Sequence, residues 1–169
     1  MKHRFHGFTL IEVLIVLALM GLILGTVFVG IGDVREQSRN QQRVSDIKII
    51  RLALQKYFSE CKSYPSDIYG GDRSDDCARS DRQFSNFLSE TPIDPHDENY
   101  EYVGLRASVA GKCVRYHIGA VLEGDSGYLK TDDDFDSTTS GYISCGRGGV
   151  FNGTDESGVY DFTNIASQN

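Results

Sequence analysis

Gly7-Phe8-Thr9-Leu10-Ile11-Glu12-Val13 decides the reading of this chain, because it sets one carboxylate at the head of an apolar run of about 24 residues. A stretch of that length predicts a transmembrane helix. A carboxylate inside it costs roughly 2.5–3.5 kcal/mol on insertion scales, so Glu12 is expected to be paired and functional. The nearest cation it could meet is an N-terminal ammonium on Phe8, created by a cut after Gly7. Met1 to Gly7 reads as a short leader that carries Lys2 and Arg4 and ends in glycine. A secretory signal places its cleavage site after the apolar run. Here the only sensible boundary lies before it. Positive charge ahead of the run puts the N-terminus on the cytoplasmic side and predicts that the rest is exported.

At 169 residues, the chain has room for one anchor and one modest domain. Removing the two positive charges of the leader lowers the net charge from −7 to −9. That argues against a nucleic-acid surface spread over the domain. Cys61, Cys77, Cys113 and Cys145 all fall in the exported part. An even count in an oxidising compartment predicts two disulfides. Three pairings are possible; sequence neighbours close at least entropic cost, which favours Cys61–Cys77 and Cys113–Cys145. No two cysteines stand at the short spacing of a zinc knuckle.

Beyond the apolar run the chain stays helical. Asp33 to Arg43 is polar and proline-free, a solvated neck. Apolar residues then return at Val44, Ile47, Ile50, Ala53, Leu54, Tyr57 and Phe58. Steps of three and four mark one helical face. A single helix from about Thr9 to about Phe58 is expected, on the order of 75 Å long. Gly21, Gly25, Gly30 and Gly32 interrupt its first half and permit either close helix packing or local unwinding. The organisation read from these segments is a leader at 1–7, a membrane or filament-core helix at 8–32, its continuation at 33–58, and a globular head at 59–169.

The head opens with a loop from Ser59 to Asp81 holding Tyr64-Pro65 and two cysteines. Asp81 can cap a short helix whose apolar face is Phe84, Phe87 and Leu88. Pro92 and Pro95 stop it. Alternation at Tyr100, Tyr102 and Leu105 predicts one strand, and Val114, Tyr116, Ile118, Ala120 and Leu122 a clearer second. Tyr142–Cys145 and Val159–Phe162 are weaker strands. The fold class expected is α+β: a long N-terminal helix packed on a small antiparallel sheet. No catalytic constellation stands out and no enzyme is expected. His3 and His6 lie in the leader, and His117 sits in a strand, where packing is the ordinary role.

The N-terminal run resembles the prepilin signature of type IV pilins and type II secretion pseudopilins. The resemblance implies a pilin-like fold and cleavage after Gly7 by a prepilin peptidase, with methylation of Phe8. It also implies assembly guided by Glu12. Tyr64-Pro65, then Asp94-Pro95 before Tyr100-Glu101-Tyr102, is similar to the major pseudopilin pattern. The cysteines are not part of that pattern; a C-terminal disulfide, here between Cys113 and Cys145, points instead to type IV pilins. The implied function is a structural subunit of a pilus or a secretion pseudopilus, single-pass in the inner membrane with an extracytoplasmic head. Its implied partners are further copies of itself, the peptidase, an inner-membrane assembly platform and minor subunits. Two alternatives are a membrane-anchored sensing domain that never polymerises and a DNA-uptake pilin. For the latter the chain offers only Arg106, Lys112 and Arg115 near one hairpin.

One ligand site is a candidate. Asp132, Asp134 and Asp136 alternate as the first three ligands of a calcium loop do. Ser137 stands where an EF-hand needs glycine, and Ile143 where it needs glutamate, so this is not an EF-hand. Calcium in the C-terminal loop of major pseudopilins makes Ca²⁺ the implied ion, with Asp125 and Asp155 as further donors. The competing reading is a solvated acidic turn.

Overall fold

The computed structural model describes residues 8–27, 31–70, 77, 83–124, 126–146 and 148–165. The leader with Gly7, Gly30, the capping Asp81 and Asp125 lie outside them. Helix α1 spans Leu10–Val27 and helix α2 spans Ile31–Cys61. The chain divides into two compact units, Met1–Ser38 and Arg39–Asn169.

In the first unit, Thr9 and Glu12 close the start of α1 on each other. The Thr9 amide and hydroxyl both donate to Glu12 Oε2, at 3.3 and 3.2 Å, and the Glu12 amide donates to Thr9 Oγ1 at 3.4 Å. This is the Thr-x-x-Glu capping box, which satisfies amides that a helix start leaves without partners. Every described side chain from Phe8 to Ile23 is exposed. Among the described residues no helix is long and apolar enough to cross a membrane.

In the second unit, α2 lays its apolar face on a four-stranded antiparallel sheet of order β3-β1-β2-β4. The strands are β1 Glu101–Arg106, β2 Arg115–Val121, β3 Ile143–Ser144 and β4 Val159–Thr163. Val44, Ile47, Ile50, Leu54 and Tyr57, at helical spacing, are all buried. Strand alternation delivers Tyr102, Tyr116, Ile118, Ala120, Tyr160 and Phe162 to the same core. The register pairs Tyr102 with Ile118 and Ile118 with Phe162, so one continuous apolar surface faces the helix.

The short helix expected around Phe84 is a 3₁₀ turn, Phe84–Asn86. Phe84 and Phe87 both reach Tyr57, with ring centroids 6.1 and 5.3 Å away. Tyr64-Pro65 turns back onto the helix as expected: Tyr64 stacks on Phe58 at 4.6 Å, and the Tyr102 hydroxyl donates to the Pro65 carbonyl at 2.7 Å. Two disulfides, Cys61–Cys77 and Cys113–Cys145, join sequence neighbours.

The solvated neck does not extend to Arg43. Asn40 and Arg43 are 4% and 2% exposed. Their polar groups are buried because each is paired, which removes most of the desolvation penalty. Arg43 forks onto Asp94 (Nε to Oδ2 2.5 Å, Nη2 to Oδ1 3.0 Å) and reaches Glu123 Oε1 with Nη1 at 2.6 Å. Arg39 forks onto the same Glu123, its Nε donating to Oε1 at 2.7 Å and its Nη2 to Oε2. Asn40 exchanges two hydrogen bonds with the Glu123 backbone, at 2.8 and 3.0 Å. The Arg39 hydrogen bonds, with those of Arg43, hold the Glu123 carboxyl down at about 2. Asp94 is also lowered: burial pushes it up, and the Arg43 hydrogen bond and the His96 amide more than reverse that.

Candidate functional site

The sheet has a second buried face, and the C-terminal third of the chain covers it. Strand alternation turns Val103 and Leu105 of β1, His117 of β2 and Asp161 of β4 away from α2, and all four are fully buried. Phe135 and Phe151 pack onto this side. Phe151 stacks on the His117 ring at 3.7 Å, and Phe135 meets its edge at 5.1 Å. Two glycines allow the approach. A Cβ on Gly119 would lie 2.6 Å from Val159 Cγ1 and 3.0 Å from Phe151. One on Gly153 would lie 2.5 Å from the Asp161 carboxyl carbon.

The polar groups of this second core form a chain. His117 Nε2 lies 2.9 Å from Asp161 Oδ2, and Nδ1 lies 3.0 Å from Ser137 Oγ. Ser137 Oγ donates to the Phe151 carbonyl at 2.8 Å and accepts the Phe151 amide at 2.9 Å. Asp161 Oδ2 accepts the Phe135 amide at 3.0 Å. Burial pushes the Asp161 carboxyl up to about 7 and the His117 imidazole down to about 3. Both shifts have the same cause, since a charge in this interior loses its water. Ser137, His117 and Asp161 are the residue types of a nucleophilic triad, but the ring is reversed, with Nδ1 on the serine and Nε2 on the aspartate. Here Ser137 is 2% exposed and its hydroxyl is committed to the Phe151 backbone on both sides, which leaves no approach for a substrate.

The acidic run lies on the outer edge of β4 and supplies what that edge lacks. Asp132 Oδ2 accepts the Asp161 amide at 3.0 Å, Asp133 Oδ2 accepts the Thr163 amide at 2.9 Å, and the Asp133 amide donates to the Asp161 carbonyl at 3.3 Å. Carboxylates thus satisfy the unpaired groups of an edge strand. Asp134 takes a left-handed φ of 49°, which aspartate tolerates better than most residues. Its Oδ1 accepts the Asp155 amide at 3.0 Å.

One carboxylate oxygen from each of Asp132, Asp134 and Asp155 lies within 4.8 Å of the other two. Asp132 Oδ1 is buried without a hydrogen-bond partner. Burial, with the Asp161 and Asp134 charges nearby, raises the Asp132 carboxyl to about 7. The structure therefore gathers two of the three aspartates singled out from the alternation and replaces the third. Asp136 turns away: its Oδ1 accepts the Thr138 amide and hydroxyl at 2.8 and 2.6 Å, and its Oδ2 accepts the Thr139 hydroxyl at 2.9 Å. That local turn holds its carboxyl below the usual range, with the Thr138 hydroxyl as the largest cause. Asp155 takes the place because the 3₁₀ turn at Asp155–Ser157 begins against Asp134. His117, Ser137 and Asp161 carried no signal as a set, since 20 to 44 residues separate the bonded pairs.

Comparison with known proteins bears on both units. The prokaryotic N-terminal methylation motif matches residues 2–28. The chain is similar to the type II secretion system core protein G of Aeromonas hydrophila, 30% identical over 138 residues, which cover 79% of this chain and 92% of the relative. The protein of the same name from Pseudomonas aeruginosa is 29% identical, over 79% of this chain and 94% of the relative. That from Dickeya chrysanthemi is 26% identical over 158 residues, 90% and 99% of the two chains. No solved structure matches the chain. The likeness covers about four fifths or more of this chain and nearly the full length of each relative, and so the chain belongs to the pseudopilin family of type II secretion system core protein G.

Proposed function

We propose that this chain is a filament-forming subunit of a type II secretion pseudopilus, cut after Gly7, anchored in the inner membrane and then polymerised through α1. The observation that carries the reading is the exposure of α1. Sixteen consecutive residues, Phe8 to Ile23, are exposed, and all but Thr9, Glu12 and a few small residues are large and apolar. A continuous apolar surface of that size has to be covered. In sequence the apolar run continues past Ile23 to Ile31, long enough for lipid to cover it first. Other copies of α1 then replace the lipid. In that dry core Glu12 pairs with the Phe8 ammonium of a neighbouring subunit, which neutralises two charges that are costly when apart. The partners are further copies, the prepilin peptidase, the inner-membrane assembly platform and minor pseudopilins. No catalytic role enters this reading.

Processing and assembly test it separately. Gly7→Glu should leave the full leader on the membrane protein, because the peptidase needs a small residue beside the cut. Glu12→Ala should insert as well as the natural chain, or better, and give far fewer fibres in sheared material. Fibres at the natural yield from Glu12→Ala would refute the pairing.

We further propose that the acidic loop holds Ca²⁺ through Asp132, Asp134 and Asp155. The residues fit the ion: the donors are hard carboxylate oxygens, and Asp132 Oδ1 is buried with its lone pairs unused. Calcium would order the loop against β4. Ligand binding to the folded state alone adds about 2.7 kcal/mol at a hundredfold excess over Kd. The protein should melt higher with millimolar calcium than with chelator, and Asp134→Ala should abolish the difference.

A further inference from the structure

We propose that His117 is a positioning residue that latches the acidic loop to the back of the sheet, so that the loop's carboxylates are set in place before any ion arrives. His117 touches none of Asp132, Asp134 or Asp155 in the contacts described above. It acts through the two residues it bridges. On one side Nε2 meets Asp161, whose carboxylate accepts the Phe135 amide and whose own amide is held by Asp132. On the other side Nδ1 meets Ser137, whose hydroxyl ties the loop to the segment 151–153 at Phe151. Two backbone bonds complete the clasp: Ser137 N to Phe151 O at 3.1 Å, and Gly153 N to Phe135 O at 3.1 Å.

The loop therefore has anchors before and after Asp134, at Asp132 and at Phe135 to Ser137, and both converge on one imidazole. The ring is sandwiched as well as bonded, with Phe151 on its face and Phe135 at its edge. Fixing the donors in advance spares binding the entropy of ordering them. Without the ring's two hydrogen bonds, Asp161 Oδ2 would keep only the Phe135 amide and Ser137 Oγ only the Phe151 backbone, and the loop would lose the one side chain that ties both anchors to β2.

The ordering half of the proposal needs no metal; the affinity half rests on the calcium reading. The test uses the mature chain in mild detergent, with His117→Phe and Ser137→Ala. Phenylalanine keeps the ring against Phe151 and removes both hydrogen bonds. Amide hydrogen exchange is followed in chelator. In His117→Phe the amides of Phe135, Ser137, Phe151 and Gly153 should exchange at least tenfold faster, while those of α2 and β1 stay within twofold. Ser137→Ala should show the same pattern at smaller size, and it carries the test if His117→Phe does not fold. Unchanged loop exchange, or equal acceleration in α2 and β1, overturns the latch. Calcium alone is then titrated calorimetrically. The Kd should rise at least tenfold in His117→Phe, and His117→Gln, whose amide can still reach Asp161, should recover part of it. Natural calcium affinity in a variant whose loop has loosened overturns the affinity half. Absence of calcium binding in the natural chain refutes the calcium reading and leaves the exchange result to decide the latch.

Discussion

Replacing Arg43 by methionine removes a buried cation while keeping most of its volume. Its side chain is 3% exposed, and the two carboxylates it serves, Asp94 and Glu123, are 14% and 26% exposed. Breaking a buried ion pair from one side costs about 3–5 kcal/mol, because the remaining charge loses its partner and not its surroundings. Both carboxylates keep some water, Arg39 still holds Glu123, and the His96 amide still donates to Asp94 at 2.9 Å. The low end, about 3 kcal/mol, is therefore expected. For a head of about 130 residues, an unfolding entropy of about 2.1 cal/mol/K per residue turns this into a fall in Tm of about 11 °C. Urea titration followed by tyrosine fluorescence and by circular dichroism gives the free energy directly. Asp94→Asn alone and the double variant complete a cycle, in which the two losses should overlap by at least about 1.5 kcal/mol. A Tm fall under about 4 °C, or strict additivity of the two changes, would show that the clamp does not hold α2 to the head.

The same cluster makes a pH prediction. Glu123 titrates lower folded than unfolded, about 2 against 4.5, so its contribution is present above pH 4.5 and drains away as the pH falls towards 2. The urea midpoint of Glu123→Gln should thus lie below that of the natural chain at neutral pH and meet it near pH 2; a constant gap would disprove the linkage. Cys113→Ser opens the bridge that ties the start of β2 to the end of β3, and should lower stability by about 2–5 kcal/mol under oxidising conditions. Non-reducing mass analysis of the natural protein should find no alkylated cysteine, and four reactive thiols would contradict both bridges.

The N-terminal unit and the core helix were legible because their signals are local. The apolar run sets a helix from about Thr9, and α1 begins at Leu10; the Thr9–Glu12 capping box is a finding of the structure, since from sequence alone the partner expected for Glu12 is the Phe8 ammonium. Val44, Ile47, Ile50, Leu54 and Tyr57 declare a buried face by spacing alone, and the alternation of Tyr116, Ile118 and Ala120 declares a strand. The charge pattern of the loop was legible only to its first order. Alternation points to Asp132 and Asp134 but does not show that Asp136 spends its carboxylate on Thr138 and Thr139, or that Asp155, in sequence only a further donor, takes its place from 21 residues beyond Asp134. Polarity was also misleading from Asp33 to Arg43, where a hydrophilic run reads as solvated and yet Arg43 meets Asp94 and Glu123 from 51 and 80 residues distant. Sequence periodicity thus determined which segments are helix and strand, since those follow from the 3.6- and 2-residue repeats of the backbone. Tertiary structure decided which polar groups meet, because burial is what makes a charge or an imidazole seek a partner, and the partner it finds depends on how the sheet and its loops fold over one another.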